Sequence, residues 1–80
     1  MTVRPIATIA REIIADWSQM GKGVNFAAKP YLDAMLCLNH VSEPYGADSG
    51  RSMVSYGLGN MSSYRGETAR RLKAELKAML

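Results

Sequence analysis

Eighty residues make one domain, and a chain of that length buries only a modest core. Hydrophobic residues at 48 % argue against wholesale disorder, and the single cysteine, Cys37, excludes an intrachain disulfide. The net charge of +3 argues against an acidic surface that mimics nucleic acid. That charge is unevenly placed. Residues 1–50 carry four basic and five acidic side chains, whereas residues 51–80 carry six basic and two acidic ones. An excess of this kind favours an anionic partner through long-range attraction. No uninterrupted apolar run reaches the roughly 18 residues of a membrane span, so no membrane role is expected. Met1–Ile9 lacks the basic flank and apolar run of a secretory signal. With a lone thiol as well, the cytoplasm is the expected compartment. A deep active site is hard to build at this size, so binding through the surface is the expected mode of action.

In chain order, the spacing predicts a first helix over Pro5–Met20. Ile6, Ile9, Ala10, Ile13, Trp17 and Met20 fall on one face, with Arg11, Glu12, Ser18 and Gln19 opposite. Trp17 reads as packing on that face. Gly21-Lys22-Gly23 stops the helix. A second helix is expected over Asn25–Val41, capped by Asn25 or beginning properly at Pro30; the residues alone leave both open. Its broad apolar surface, Tyr31, Leu32, Ala34, Met35, Leu38 and Val41, marks it as the expected most buried helix.

Ser42-Glu43-Pro44-Tyr45-Gly46 is turn chemistry. Asp48 or Ser49 then caps a third helix over about residues 49–61, with Met53, Val54, Gly57, Leu58 and Met61 on one side. Gly57 and Gly59 each cost a helix about 1 kcal/mol relative to alanine, so either the helix breaks near them or a neighbour approaches closely, and close approach is the favoured reading. Ser62-Ser63 is a second capping region. A last helix runs from Tyr64 or Glu67 to Met79, with Ala69, Leu72, Leu76 and Met79 as its apolar line. Arg71 and Glu75, four apart, are placed to pair across one turn. No period-2 alternation, repeat or low-complexity tract is visible. The expected fold is all-α, a compact bundle of about four short helices in a single domain over residues 1–80.

Three patterns bear on chemistry. Asp33, Cys37 and His40 stand at i, i+4 and i+7 on the polar side of the second helix. A nucleophile needs an oxyanion-binding loop and a cleft, and zinc needs a fuller ligand set; neither is evident. They read as a helix edge with a partly buried thiol, and no enzyme, metal or cofactor is expected. Arg70, Lys73 and Lys77, at i, i+3 and i+7, form a basic stripe on the last helix, which Arg51 and Arg65 extend if the packing allows. Such a stripe holds phosphates or carboxylates, or is simply a solvated face near a helix C-terminus. No aromatic residue interleaves with it as a single-strand platform requires. Tyr45, Tyr56 and Tyr64 surround turns and helix ends, where tyrosine serves either as an interface anchor or as a plug for the bundle.

The run from Tyr45 to Leu80, YGADSGRSMVSYGLGNMSSYRGETARRLKAELKAML, resembles a group of short phage and prophage proteins. Within that group, its length and sequence look like phage-encoded anti-CRISPR proteins directed against the type I-C Cascade complex. The likeness covers nearly half the chain and is one of overall sequence, without a functional motif. It implies stoichiometric, non-enzymatic inhibition, in which the protein binds the surveillance complex and stops it from binding target DNA or recruiting its nuclease. Beside that implication, the basic balance marks Arg51, Tyr64, Arg65, Arg70, Lys73 and Lys77 as candidate contacts to a Cascade subunit or to nucleic acid. The alternatives are a small basic nucleic-acid-binding regulator and a homo-oligomer packed through the Gly57/Gly59 surface.

Overall fold

The computed structural model describes residues 3–80, leaving Met1 and Thr2, part of the run read for a secretory signal, outside the described residues. Four helices and one short hairpin follow each other along the chain. They are α1 (Ile6–Trp17), α2 (Lys29–Met35), β1 (Pro44–Tyr45), β2 (Asp48–Ser49), α3 (Gly50–Gly59) and α4 (Glu67–Lys77). The protein is therefore predominantly helical but not purely all-α. Its extents of 33 × 30 × 17 Å describe a flattened slab.

α1 is the most buried element. Ile6, Ala7, Ile9, Ala10, Ile13 and Trp17 are all shielded from solvent. Pro5 precedes the helix as its N-cap and offers no side-chain bond. The first free N–H groups of α1 are instead met by distant backbone: Ile6 N donates to the Asn39 carbonyl at 3.1 Å and Ala7 N to the Leu38 carbonyl at 2.8 Å. At the other end α1 stops at Trp17, short of the expected Met20. Ser18 Oγ and Gln19 Nε2 both donate back to the Ala15 carbonyl, closing the last turn.

The same docking explains why α2 is short. The spacing predicts a helix over Asn25–Val41, whereas the observed one covers Lys29–Met35. Asn25 and Pro30 both contribute to its start. Asn25 Oδ1 accepts from Ala27 N, its carbonyl accepts from Ala28 N and Lys29 N, and Pro30 sits in the first helical turn. Beyond Met35 the chain turns, and the Leu38 and Asn39 carbonyls face α1 rather than a continuing helix. Leu38 and Val41 are still buried, because apolar residues that pass beneath α1 satisfy the same spacing without being helical. α2 is also not the most buried helix, since it shields only Leu32, Ala34 and Met35.

The hairpin is absent from the sequence-based expectation. β1 and β2 pair antiparallel, Pro44 opposite Ser49 and Tyr45 opposite Asp48, and two residues per strand leave no period to detect. Gly50 follows, and a Cβ there would lie 2.9 Å from the His40 carbonyl oxygen and 3.1 Å from that of Glu43. Glycine lets the hairpin seat against this backbone, through Gly50 N to the Glu43 carbonyl at 2.6 Å and Arg51 N to the Val41 carbonyl at 2.9 Å.

Ser49 caps α3, its Oγ accepting from Ser52 N at 3.1 Å. Of the two helical glycines, Gly57 is the close approach: a Cβ there would collide with Met35 Cε and lie 3.3 Å from Tyr31 Cβ, where α2 packs on α3. Gly59 has open space around it. Ser62 and Ser63 cap nothing. Gly66, at φ +121, turns the chain into α4, which starts at Glu67 without a side-chain cap. Ala69, Leu72 and Leu76 then seat α4 against α1. No described helix is long and apolar enough to cross a membrane.

Candidate functional site

The turn between α3 and α4 is anchored by Tyr64. Its side chain is fully buried, its ring stacks on Trp17 at 4.9 Å, and its hydroxyl donates to Asp16 Oδ2 at 2.7 Å. Burial, then the bond to Asp16 and the charge of that carboxylate, push the Tyr64 hydroxyl above the ordinary tyrosine value. Tyr64 is one of the candidate contact residues of the sequence. Its side chain faces the core instead, because the partners that satisfy both its ring and its hydroxyl belong to α1.

Around the turn that Tyr64 holds, Arg65, Arg70, Lys73 and Lys77 line a hollow of about 410 Å³, with Gly66 and Ala74 between them. The stripe of α4 and the arginine of the turn thus converge, and no acidic side chain is among the lining residues. Lys73 is the innermost cation. Its Nζ donates to the Met61 carbonyl at 3.1 Å and the Tyr64 carbonyl at 2.5 Å, and stands 5.8 Å from the centre of the Tyr64 ring. Burial lowers its pKa below the ordinary lysine value, and the nearby charges of Lys77 and Arg65 add to the effect. Arg65 Nε donates to the Ser62 carbonyl at 3.4 Å, whereas Arg70 and Lys77 lie exposed on the helix.

Arg51 does not join the stripe. Its Nη1 donates to the Leu80 carbonyl at 2.9 Å, on a part of the surface outside the hollow. Among the described residues the expected Arg71–Glu75 pair makes no direct bond, and the Arg71 charge acts on Glu75 only as a lesser influence beside Arg4. Glu75 is gripped by Arg4 through two bonds of 2.7 Å, and Arg4 reaches Glu12 at 2.6 Å as well. The guanidinium holds the carboxyls of Glu12 and Glu75 below their ordinary value and is itself held charged by them. Sequence spacing proposes partners only within one helix, so it misses an arginine that lies before α1.

Asp33, Cys37 and His40 are not assembled into a site. α2 ends before Cys37, so their helical spacing is never realised. Asp33 pairs with Lys29 at 3.2 Å, His40 Nδ1 lies 2.8 Å from Ser42 Oγ, and Cys37 is exposed rather than partly buried. Among the described residues, no group of three or more His, Cys, Asp or Glu side chains is placed to hold a metal ion.

One residue of this surface is not marked by any sequence pattern above. Phe26 is 88 % exposed and borders a second hollow, of about 690 Å³, together with Trp17, Met20, Lys22, Val24 and Ser63. Its signal in the sequence is its position, an aromatic residue between Gly23 and Pro30 that belongs to neither apolar stripe. Compared with known proteins, the chain matches no protein family, no curated protein and no solved structure.

Proposed function

We propose that this chain is a non-enzymatic binding protein whose basic hollow engages an anionic surface of a macromolecular partner. The observation that carries this reading is the convergence of Arg65, Arg70, Lys73 and Lys77 on one hollow whose lining includes no acid. Lys77 and Arg65 disfavour the charged form of Lys73 in the free protein, and an anionic partner offsets that cost on binding. The resemblance of Tyr45–Leu80 to phage anti-CRISPR proteins supplies the candidate partner, a type I Cascade complex. In that setting the protein occupies an acidic patch of a Cascade subunit, or the nucleic acid of the complex, and prevents target DNA from binding.

The test is a gel shift of labelled target duplex with purified type I-C Cascade, with and without the protein, alongside the double variant Arg70→Glu, Lys77→Glu. Loss of the Cascade shift with the native chain, and its return with the double variant, is the expected result. An unaffected shift with the native chain sinks the Cascade reading. Inhibition that survives the double variant sinks the role of the hollow.

A further inference from the structure

We infer that the two hollows form one binding surface for single-stranded nucleic acid, with Phe26 as its stacking platform. The inference takes from the proposed function only the anion-binding role of the basic hollow. Ser63 lines the Phe26 hollow, while Tyr64, Arg65 and Gly66 line the basic one, so the two adjoin across the Ser63–Gly66 turn. Packing beneath the surface ties the same two regions together: Trp17, in the wall of the Phe26 hollow, stacks on Tyr64, and a Cβ at Gly66 would lie 4.0 Å from Met20 Cε.

The composition of this surface is what an unpaired strand needs. Backbone phosphates require a track of cations, supplied by Arg65, Arg70 and Lys77 on one side of the turn and by Lys22 on the other. Unstacked bases require a flat apolar face beside that track. Phe26, 88 % exposed, offers its ring at no cost to the core, and Met20 and Val24 add apolar wall. Sequence spacing finds no aromatic residue within the basic stripe of α4, and that remains true of the helix itself. The fold supplies the ring from the loop before α2. The ring also selects among anionic partners. A nucleobase presents a π-face to Phe26, which an acidic protein surface does not, and the bases of a duplex are already stacked on one another.

The experiment is fluorescence anisotropy with a labelled oligo(dT) single strand, a duplex of equal length and poly-glutamate, each titrated with the native chain and with variants. The expected order is single strand first, and duplex and poly-glutamate weaker. Phe26→Ala weakens single-strand binding by about 5- to 150-fold, the range of one base stack, and Phe26→Trp restores it. Arg70→Ala with Lys77→Ala lowers the log–log salt slope by about 1.4, or about 0.7 for each phosphate no longer neutralised. Because Phe26 is exposed, its variants are expected to melt with the native chain, as circular dichroism checks. Equal or tighter binding to duplex or poly-glutamate overturns the inference, as does an unchanged single-strand affinity in Phe26→Ala. Cascade inhibition that persists in a chain with no single-strand binding overturns this inference alone and leaves the proposed function standing. Single-strand binding by a chain that never inhibits Cascade does the reverse.

Discussion

α4 carries charge along both edges of its buried stripe, and the two edges are treated in opposite ways. On one edge Glu75 is matched by Arg4, which also holds Glu12 and so ties the segment before α1 to the last helix. On the other edge Arg70, Lys73 and Lys77 meet Arg65 with no acidic side chain lining the hollow. Matched charges fix the position of an element, and their pKa shifts favour the ionised forms. Unmatched like charges do the opposite: the pKa of Lys73, lowered first by burial, is lowered further by Lys77 and Arg65. Lys73 offsets part of that cost by donating to the Met61 and Tyr64 carbonyls, whereas Arg70 and Lys77 lie exposed on the helix.

That comparison is broken most severely by removing what supports the unmatched edge. Tyr64→Ala leaves a cavity against Trp17 and strands Asp16, at an expected cost of about 3–5 kcal/mol. A domain of this length has roughly 4–12 kcal/mol in all, so urea denaturation should show the largest fall in midpoint of any variant considered, a quarter or more of the total stability. Tyr64→Phe keeps the stack and loses only the hydroxyl, at about 1 kcal/mol. A native-like urea midpoint for Tyr64→Ala would show that the hollow does not depend on the core behind it.

The next effect lies on the scaffold side. Gly57→Ala gains about 1 kcal/mol of helix propensity but forces the terminal methyl of Met35 aside within the core and places its own Cβ 3.3 Å from Tyr31 Cβ. A net loss of about 1 kcal/mol is expected in chemical denaturation. Gly59→Ala meets nothing and should gain about 0.4–1 kcal/mol. If the two variants shift stability in the same direction, close packing of α2 on α3 is not what requires Gly57.

The matched edge is sharpened by pH. Glu12 and Glu75 have folded pKa values below the ordinary 4.5, so each binds a proton more weakly folded than unfolded. Their contribution to stability is present above that value and is lost as pH falls through the lowered folded values. Melting temperatures measured from neutral pH downward should therefore decline, and Arg4→Gln should flatten that part of the decline. An identical profile for the variant would mean the three charges add nothing beyond surface solvation.

The smallest effect separates the two edges most cleanly. Arg70→Glu with Lys77→Glu should change stability by no more than about 0.5 kcal/mol, because both side chains are exposed, and any gain would come from relieving Lys73. A large loss of stability would recast the hollow as part of the scaffold.

Legibility follows the same division. The apolar faces of α1 and α4 and the Ser49 cap are readable, because each depends on residues within one or two turns of chain; the glycine at 57 signals a close approach, but its neighbours Met35 and Tyr31 belong to α2. The length of α2 is not, since Leu38 and Val41 keep a helical spacing while their backbone serves α1. Of the candidate contacts, Arg65, Arg70, Lys73 and Lys77 do meet at one hollow, whereas Tyr64 turns inward and Arg51 binds elsewhere.

By itself the sequence determined that the chain is helical, that its C-terminal part is basic and that one face of α4 carries a row of cations. These are properties of composition and of 3.6-residue periodicity, which need no knowledge of neighbours. Only the tertiary structure decided which charges find a partner among the described residues, and that the hollow bordered by Phe26 and Ser63 adjoins the basic one at the turn before α4. Pairing across the fold depends on distances between segments far apart in the chain, and no local pattern encodes those distances.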